Sequence, residues 1–301
     1  MILREYPEII TGIKENFIIH FVSGKCEIDK HVSPLSIKCS MKGSENFKTS
    51  FGNYCVTPGS YFIMNEGLEC ESVIHEESES FSLYFDTEFA SNVFKSLINS
   101  GDKIIDYSYF PKNLPFNFFE KLYPNNNILS PLIMKLHLAS KVNYDDSNWI
   151  NEHFYFILEK LLIIHKNLYE EISKLPPVKL STKIEIYKRI CRAKEFMDSC
   201  YAKPINLESI SKEACLSQFH FLRLFKSIYK KTPHQYLTGK RLGKAFNLLS
   251  ETDKSITDIC FETGYESMGS FSTLVKKNFG LSPEMLRNEF RKYLPKNKIS
   301  Y

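Results

Sequence analysis

The stretch LSQFHFLRLFKSIYKKTP, residues 216–233, has the spacing of a helix with two unlike faces. Phe221, Leu224 and Phe225 recur at helical intervals and predict the face that packs on a core. The other, N-terminal face carries Gln218, Phe219, Leu222 and Arg223. A helix that meets only water usually fills its outer face with charged and polar side chains. The two apolar residues on this face therefore indicate contact with another molecule.

The same pattern recurs 50 residues further along the chain, where residues 217–237 align with residues 267–287. The aligned pairs include Ser217 with Ser267, Phe221 with Phe271, Leu224 with Leu274, Phe225 with Val275 and Lys226 with Lys276. Upstream the offset is 49, so the second copy has one extra residue in the turn that contains Gly264. Each copy predicts a short helix, a tight turn and a longer helix capped by its first Ser. This is the helix-turn-helix arrangement, whose second helix enters the DNA major groove, and we expect units at about 206–229 and 256–279.

The side chains of the outer face are suited to contact DNA bases, because Arg pairs with guanine edges, Gln with adenine, and apolar groups with thymine methyls. The charge distribution favours the same partner. Residues 1–180 hold 17 Lys and Arg against 23 Asp and Glu, whereas residues 181–293 hold 20 against 12. A basic half joined to an acidic half is typical of a chain with one domain that meets a polyanion. The alternative, a plain helical bundle with a solvated lysine face, is disfavoured by the second copy.

The front half predicts β-structure over about residues 1–90 and helices over about 91–175. Runs rich in aromatic and β-branched residues lie at 17–22, 35–41, 54–57, 61–64 and 80–85. Turn-forming residues separate these runs, and many short strands at regular spacing are typical of a barrel or a sandwich.

A long helix is predicted over Ser147–Leu175, with apolar residues at a helical period and further apolar residues on its other side. Such a helix is covered on both sides, either within its own domain or partly by a second copy of the chain. The segment LPPVKLST, 175–182, contains two prolines and is the predicted linker. We therefore expect a sensing and dimerising domain at 1–180 and a DNA-binding domain at 181–301.

Several classes of site and location are disfavoured. The eight cysteines form no C-x-x-C pair, and His20, His31 and His75 stand apart in the sequence, so we expect no metal site and no cofactor. The N-terminal segment lacks the apolar core of a secretory signal, and the apolar run at 153–165 is too short to span a bilayer. The expected location is the cytoplasm, with no membrane partner.

Residues 188–293 resemble the AraC/XylS family of bacterial transcription regulators. The resemblance is carried by RLFKSIYKKTPHQYLTGKRLGKAFNLL (223–249) and by SITDICFETGYESMGSFSTLVKKNFGLSPEMLR (255–287). It implies an all-α domain of seven helices with two helix-turn-helix units joined by a long helix, here Pro233–Ser250. The residues of this helix expected to face inward are Leu242, Ala245, Leu248 and Leu249. The implied partners are double-stranded DNA and a second copy of the chain, and RNA polymerase is a possible further partner.

By the family pattern, the positions that face DNA are Gln218, Phe219, Leu222, Arg223 and Lys226 in the first unit, and Met268, Gly269, Ser272, Thr273, Lys276 and Lys277 in the second. This chain departs from the pattern in three places. Lys230 stands where Gly280 stands in the second unit, Thr273 where the family often has Arg, and Val275 where it usually has Phe. The second unit thus offers few long side chains for base edges. We expect the first unit to read most of the sequence directly, and the second to contact phosphates or read DNA shape.

The front half resembles the cupin-type β-barrel that many family members use to sense a signal. GNYCVTPGSYFIMNEG (52–67) carries this looser resemblance. It implies an α+β chain whose barrel holds a small effector or serves only as structure, and no residue identifies the effector. The leading interpretation is a transcription regulator, most plausibly an activator, without enzymatic activity. The alternatives are an alkyl-transfer DNA repair regulator, which needs a zinc-held thiolate, and a cupin-type enzyme fused to a DNA-binding domain.

Overall fold

The chain divides between Glu195 and Phe196 into two compact units. The computed structural model describes residues 15–99, 117–125, 128–142, 146–176 and 179–293. The first unit begins with strands and ends with helices, and the second is helical. The expectation of a β-rich front half and a helical back half is therefore confirmed.

The strands of the first unit form two antiparallel sheets. They are β1 (Phe17–Ser23), β2 (Cys26–Ser33), β3 (Ser36–Lys42), β4 (Glu45–Thr49), β5 (Gly52–Val56), β6 (Ser60–Met64), β7 (Leu68–Ile74), β8 (Ser78–Tyr84) and β9 (Leu122–Pro124). One sheet has the order β1-β8-β3-β6-β9 and the other β2-β7-β4-β5. No strand ladder joins the two sheets within the described residues, so the predicted barrel is not closed there. The pattern of short strands fits a barrel and a sandwich equally, which is why the sequence did not separate them.

The five-stranded sheet is buried on both faces. Phe81 and Leu83 of β8 belong to a core shared with the helices of the first unit. Phe62 and Met64 of β6 lie in a second core, with side chains of the four-stranded sheet. The first unit is thus three layers thick, with the five-stranded sheet in the middle.

Three helices lie in the remainder of the first unit. They are α1 (Thr87–Asn99), α2 (Ser130–Lys141) and α3 (Ser147–Ser173). The carboxylate of Asp146 caps α3 by accepting hydrogen bonds from the backbone N–H groups of Asn148 and Trp149. Leu162, on the side of α3 opposite the expected core face, is buried as well. Most of the apolar surface of this helix is therefore covered within its own unit.

The second unit is built from the end of α4 and six further helices. They are α4 (Leu180–Ser199), α5 (Leu207–Glu213), α6 (Gln218–Tyr229), α7 (Pro233–Glu251), α8 (Ile256–Glu262), α9 (Met268–Phe279) and α10 (Pro283–Tyr293). The expected joining helix is α7, and its four predicted inward residues are all buried. They share a core with Phe271 and Val275 of α9. The two short–long helix pairs, α5–α6 and α8–α9, lie at the residues expected for the two units.

The division between the units falls inside α4 rather than at the predicted boundary of residue 180. The first part of α4 packs within the first unit, where the ring of Tyr187 lies 5.7 Å from that of Phe119. The proline-containing segment separates α3 from α4, but it does not separate the two compact units.

Among the described helices, none combines the length and the apolar character that crossing a bilayer requires.

Candidate nucleic-acid interface

The two helix pairs repeat each other bond for bond in their turns. The backbone N–H of Leu216 donates to the carbonyl of Ser211 at 3.1 Å, and that of Tyr265 donates to the carbonyl of Cys260 at 3.1 Å. Each residue of the second bond lies 49 positions after its counterpart in the first. The offset of 49 residues found in the sequence is thus present in the fold. The two turns match as far as Leu216 and Tyr265, after which the second has one more residue before its longer helix.

A left-handed residue occupies the same place in both turns. Cys215 has φ 50° in the first turn, and Gly264 has φ 84° in the second. A Cβ at residue 264 would lie 2.8 Å from the Cα of Ala202, closer than side chains pack. Glycine is therefore required in the second turn by both the backbone conformation and the close approach of another segment.

A serine caps each longer helix, as the sequence predicted. The Oγ of Ser217 accepts from the N–H of His220 at 3.4 Å, and the Oγ of Ser267 accepts from the N–H of Ser270 at 3.3 Å. Because the first backbone N–H groups of a helix have no partner inside it, each hydroxyl satisfies one of them. Both helices thus begin at the residue that the repeat predicts.

Each longer helix ends at a residue in the left-handed conformation. Lys230 has φ 58° and Gly280 has φ 80° at these positions. The conformation costs a lysine about 1–2 kcal/mol, whereas glycine adopts it freely. The Nζ of Lys230 donates to the carbonyl oxygen of Ser227 at 2.5 Å, which offsets part of this cost. The departure noted in the sequence is therefore a real local strain at the end of α6.

The predicted DNA-facing residues of α6 lie on its accessible side. Gln218, Arg223 and Lys226 are exposed, and Leu222 is half-buried. The ring of Phe219 is 78% exposed, which is unusual for so large an apolar side chain. The buried residues of the helix are the three that the periodicity assigned to the core. The fold thus brings the predicted first set together on one open face.

The second set, on α9, is less uniform. Gly269, Thr273, Lys276 and Lys277 are exposed, and Ser272 is half-buried. Met268 is half-buried and packs against the core of the second unit. The family pattern placed Met268 among the DNA-facing positions, but the first turn of α9 brings its long side chain back over the core. It therefore has less free surface than the sequence suggested.

The electrostatics of α6 and α9 differ from those of the rest of the second unit. Neither helix contains an Asp or a Glu. Elsewhere in the unit, several cations are paired with carboxylates: Lys240 with Asp198 at 3.1 Å, Lys254 with Glu262 at 2.6 Å and Arg291 with Asp253 at 2.8 Å.

Four cations of the two helices lack such partners. Within the described residues, no carboxylate pairs with Arg223, Lys226, Lys276 or Lys277. Their positive charge is therefore available to an anion from outside the chain, and phosphate groups spaced along a duplex suit such an arrangement.

Arg241 is basic but has a structural role, which the sequence did not reveal. Its Nε donates to the carbonyl of Tyr201 at 2.7 Å and its Nη2 to the carbonyl of Lys203 at 2.9 Å. Burial lowers the pKa of this guanidinium. Arg241 thus links α7 to the segment that follows α4 through two hydrogen bonds.

Within the described part of the second unit, no set of His, Cys, Asp and Glu side chains has the arrangement of a metal site.

Comparison with known proteins agrees with this geometry. A sequence profile described as a helix-turn-helix domain matches residues 210–289. The HTH-type transcriptional regulator ArgR of Pseudomonas aeruginosa is 30% identical over 105 residues, 35% of this chain and 32% of that protein. The lactose operon transcription activator of Staphylococcus xylosus is 25% identical over 252 residues, 83% of this chain and 82% of that protein. A solved AraC-type transcriptional regulator of Chromobacterium violaceum is 26% identical, with 36% of this chain and 96% of that chain covered and a TM-score of 0.33.

The chain is thus similar in sequence to proteins named as transcription regulators. The helix-turn-helix match runs from within α5 into α10, so it includes most of the first helix pair, the joining helix and the second pair. The alignment spans about a third of ArgR but four-fifths of the lactose operon activator.

Proposed function

We propose that this protein is a sequence-specific DNA-binding transcription regulator. The observation that carries the proposal is the pair of equivalent helices, α6 and α9, whose exposed faces hold cations that have no acidic partner among the described residues. The names of its relatives as transcription regulators support the same function. An enzymatic role has no comparable support.

Within this function, α6 reads most of the base sequence. Arg223 presents a planar fork with five donors, which suits the O6 and N7 of guanine. Gln218 suits adenine, and the exposed ring of Phe219 suits a thymine methyl group. In α9, Lys276 and Lys277 contact phosphates, because the shorter neighbouring side chains do not reach base edges. The two helices therefore divide readout and anchoring between them.

The first unit supplies the signal to this regulator. We assign it a cupin-like fold whose interior between the sheets receives a small effector. Its interior is not purely apolar. Lys38 is fully buried and donates to the hydroxyl of Tyr84 at 2.5 Å, and burial lowers the pKa of its ammonium to about 8. The carboxylate of Glu45 is also buried and accepts from Ser72 and Ser80. Buried polar groups of this kind orient a polar ligand.

The protein acts as a homodimer, and as an activator it would also contact RNA polymerase. The long helix α3 was the expected dimer surface, but its apolar side chains are mostly covered, with Phe156 38% exposed. A larger apolar surface lies on and after α2. Met134 is 49%, Leu138 59% and Val142 74% exposed, at intervals of four residues. This stripe is the better surface for a second copy.

The test is selection of binding sites from a pool of random DNA duplexes with the full-length protein at about physiological salt. A regulator of this type enriches one motif over repeated rounds, with two parts that correspond to the two helix-turn-helix units. A variant with both Arg223→Ala and Gln218→Ala is the matched control, and it should enrich a weaker or shorter motif. Recovery of a pool without any preferred sequence from the wild-type protein would contradict the proposal.

A further inference from the structure

Three side chains from separate parts of the first unit meet at one point. His20 lies on β1, Glu79 on β8 and His137 on α2. The Oε1 of Glu79 lies 2.9 Å from the Nε2 of His20 and 2.8 Å from the Nε2 of His137. The ligand atoms of all three residues lie within 4.8 Å of one another. These residues are far apart in the sequence, which is why the sequence analysis expected no metal site.

Strand register and helical period bring the cluster together. In the β1–β8 ladder, His20 is paired with Phe81, so Glu79, two residues earlier on β8, shares the face of His20. The ring of Phe81 packs edge-on against both imidazoles, at 5.9 Å from His20 and 5.2 Å from His137. Ile133 and His137 lie one turn apart on α2, and both are buried. The cluster therefore sits where α2 packs on the five-stranded sheet.

We propose that His20, Glu79 and His137 form a binding site for a divalent transition-metal ion of the zinc type. Two imidazole nitrogens and one carboxylate oxygen are a ligand set that zinc and related ions use when coordination positions are left open. Ligand atoms at about 2.0–2.1 Å from a tetrahedral zinc ion are about 3.3–3.4 Å apart. The two separations around Glu79 are hydrogen-bond distances, so the ligand atoms must move apart by about half an ångström to admit the ion.

The surroundings suit a metal ligand set. The Nδ1 of His20 lies 3.2 Å from the Oγ of Ser140, which itself donates to the carbonyl of His137 at 2.7 Å. A hydroxyl in this place accepts the Nδ1–H of His20 and leaves Nε2 free for a metal.

The ammonium of Lys141 competes with a metal ion for the carboxylate of Glu79. Its Nζ lies 3.0 Å from the same Oε1 of Glu79, and its side chain is 46% exposed. A metal ion at the cluster displaces this ammonium, which has room to move into solvent. The affinity for the metal is therefore lower than the three ligands alone would give, and removal of the lysine should raise it.

The experiment measures zinc binding by the full-length, chelator-stripped protein, in competition with a chromophoric chelator. We expect one equivalent per chain. Glu79→Gln should weaken binding by at least about 100-fold, since even outer partners of metal ligands change affinity by about 10–100-fold. The matched control is His75→Gln, an exposed histidine outside the cluster, which should leave the affinity unchanged. Equal affinities for the wild type and Glu79→Gln would overturn the proposal.

Two further measurements keep the test decisive if Glu79→Gln does not fold. Lys141→Met, at a half-exposed position, should tighten zinc binding by about threefold to tenfold, and an unchanged affinity would overturn the proposal. Cobalt(II) bound in place of zinc reports its ligands by absorption. Nitrogen and oxygen ligands support the cluster, whereas an intense thiolate charge-transfer band would assign the metal to cysteines and overturn it.

Discussion

Substitution of Gly264 by alanine tests whether the turn of the second helix pair is as constrained as its geometry indicates. Two costs add at this position. The backbone has φ 84°, which costs an alanine about 1–2 kcal/mol. The new Cβ would also lie 2.8 Å from the Cα and the carbonyl oxygen of Ala202. Relief of such a clash by backbone movement costs about a further 1–3 kcal/mol. Gly264→Ala should therefore lower the free energy of unfolding of the second unit by about 2–5 kcal/mol.

The matched control is Gly280→Ala. Gly280 has nearly the same conformation, φ 80°, but apart from its chain neighbours no atom of the described residues lies within 4 Å of an added Cβ. Gly280→Ala should therefore lower the free energy of unfolding only through the unfavourable backbone conformation, by about 1–2 kcal/mol. Hydrogen exchange of peptides from α5 to α9, measured in the full-length variants, reports the local stability of the second unit. The fluorescence of Trp149, the single tryptophan, reports the first unit and should be unchanged. Equal losses for the two variants would refute the close approach of Ala202.

Three further predictions concern the charges, the dimer and a buried histidine. DNA affinity should fall by about 10³-fold between about 50 and 200 mM salt if roughly six phosphates are contacted, and a salt-independent affinity in gel-shift titrations would contradict this. The full-length protein should sediment as a dimer at tens of micromolar, and Leu138→Lys should make it monomeric; a wild-type monomer argues against the dimer. Burial lowers the pKa of His165 to about 3, from about 6.5 in an unfolded chain. Since only the unfolded state then gains a proton, unfolding of the first unit, followed by Trp149 fluorescence, should cost about 2 kcal/mol less at pH 5 than at pH 7. His165→Leu should remove the share of this pH dependence that His165 contributes.

The second unit could be predicted nearly residue by residue because it is a repeat. Alignment of the two copies predicted the positions of the turns, the helix caps and the buried faces. A feature predicted in one copy was supported by the equivalent residue in the other. Even the strain at Lys230 followed from alignment with Gly280. Met268, which the family resemblance placed among the DNA-facing positions, is half-buried, because a long side chain at the start of a helix is able to fold back over the core.

The first unit was less predictable because its organisation depends on long-range pairing. Strands such as β2, which carries the charged run from Glu27 to Lys30, have too little apolar alternation to be recognised. The cluster of His20, Glu79 and His137 depends on a strand register and on the docking of a helix. A one-residue change of register would turn Glu79 to the opposite face of the sheet, and no local pattern in the sequence specifies that register.

The most direct test of the central claim compares two single variants on two DNAs. Arg223→Ala and Lys276→Ala are measured by equilibrium binding to the duplex selected by the wild-type protein and to a scrambled duplex of equal length. Arg223→Ala should cost about 1–3 kcal/mol on the selected duplex and much less on the scrambled one, because it removes a base contact. Lys276→Ala should weaken both alike and reduce the salt slope by about one unit. Equal losses on both duplexes for Arg223→Ala would show that α6 only binds phosphates, and would contradict its role in sequence readout.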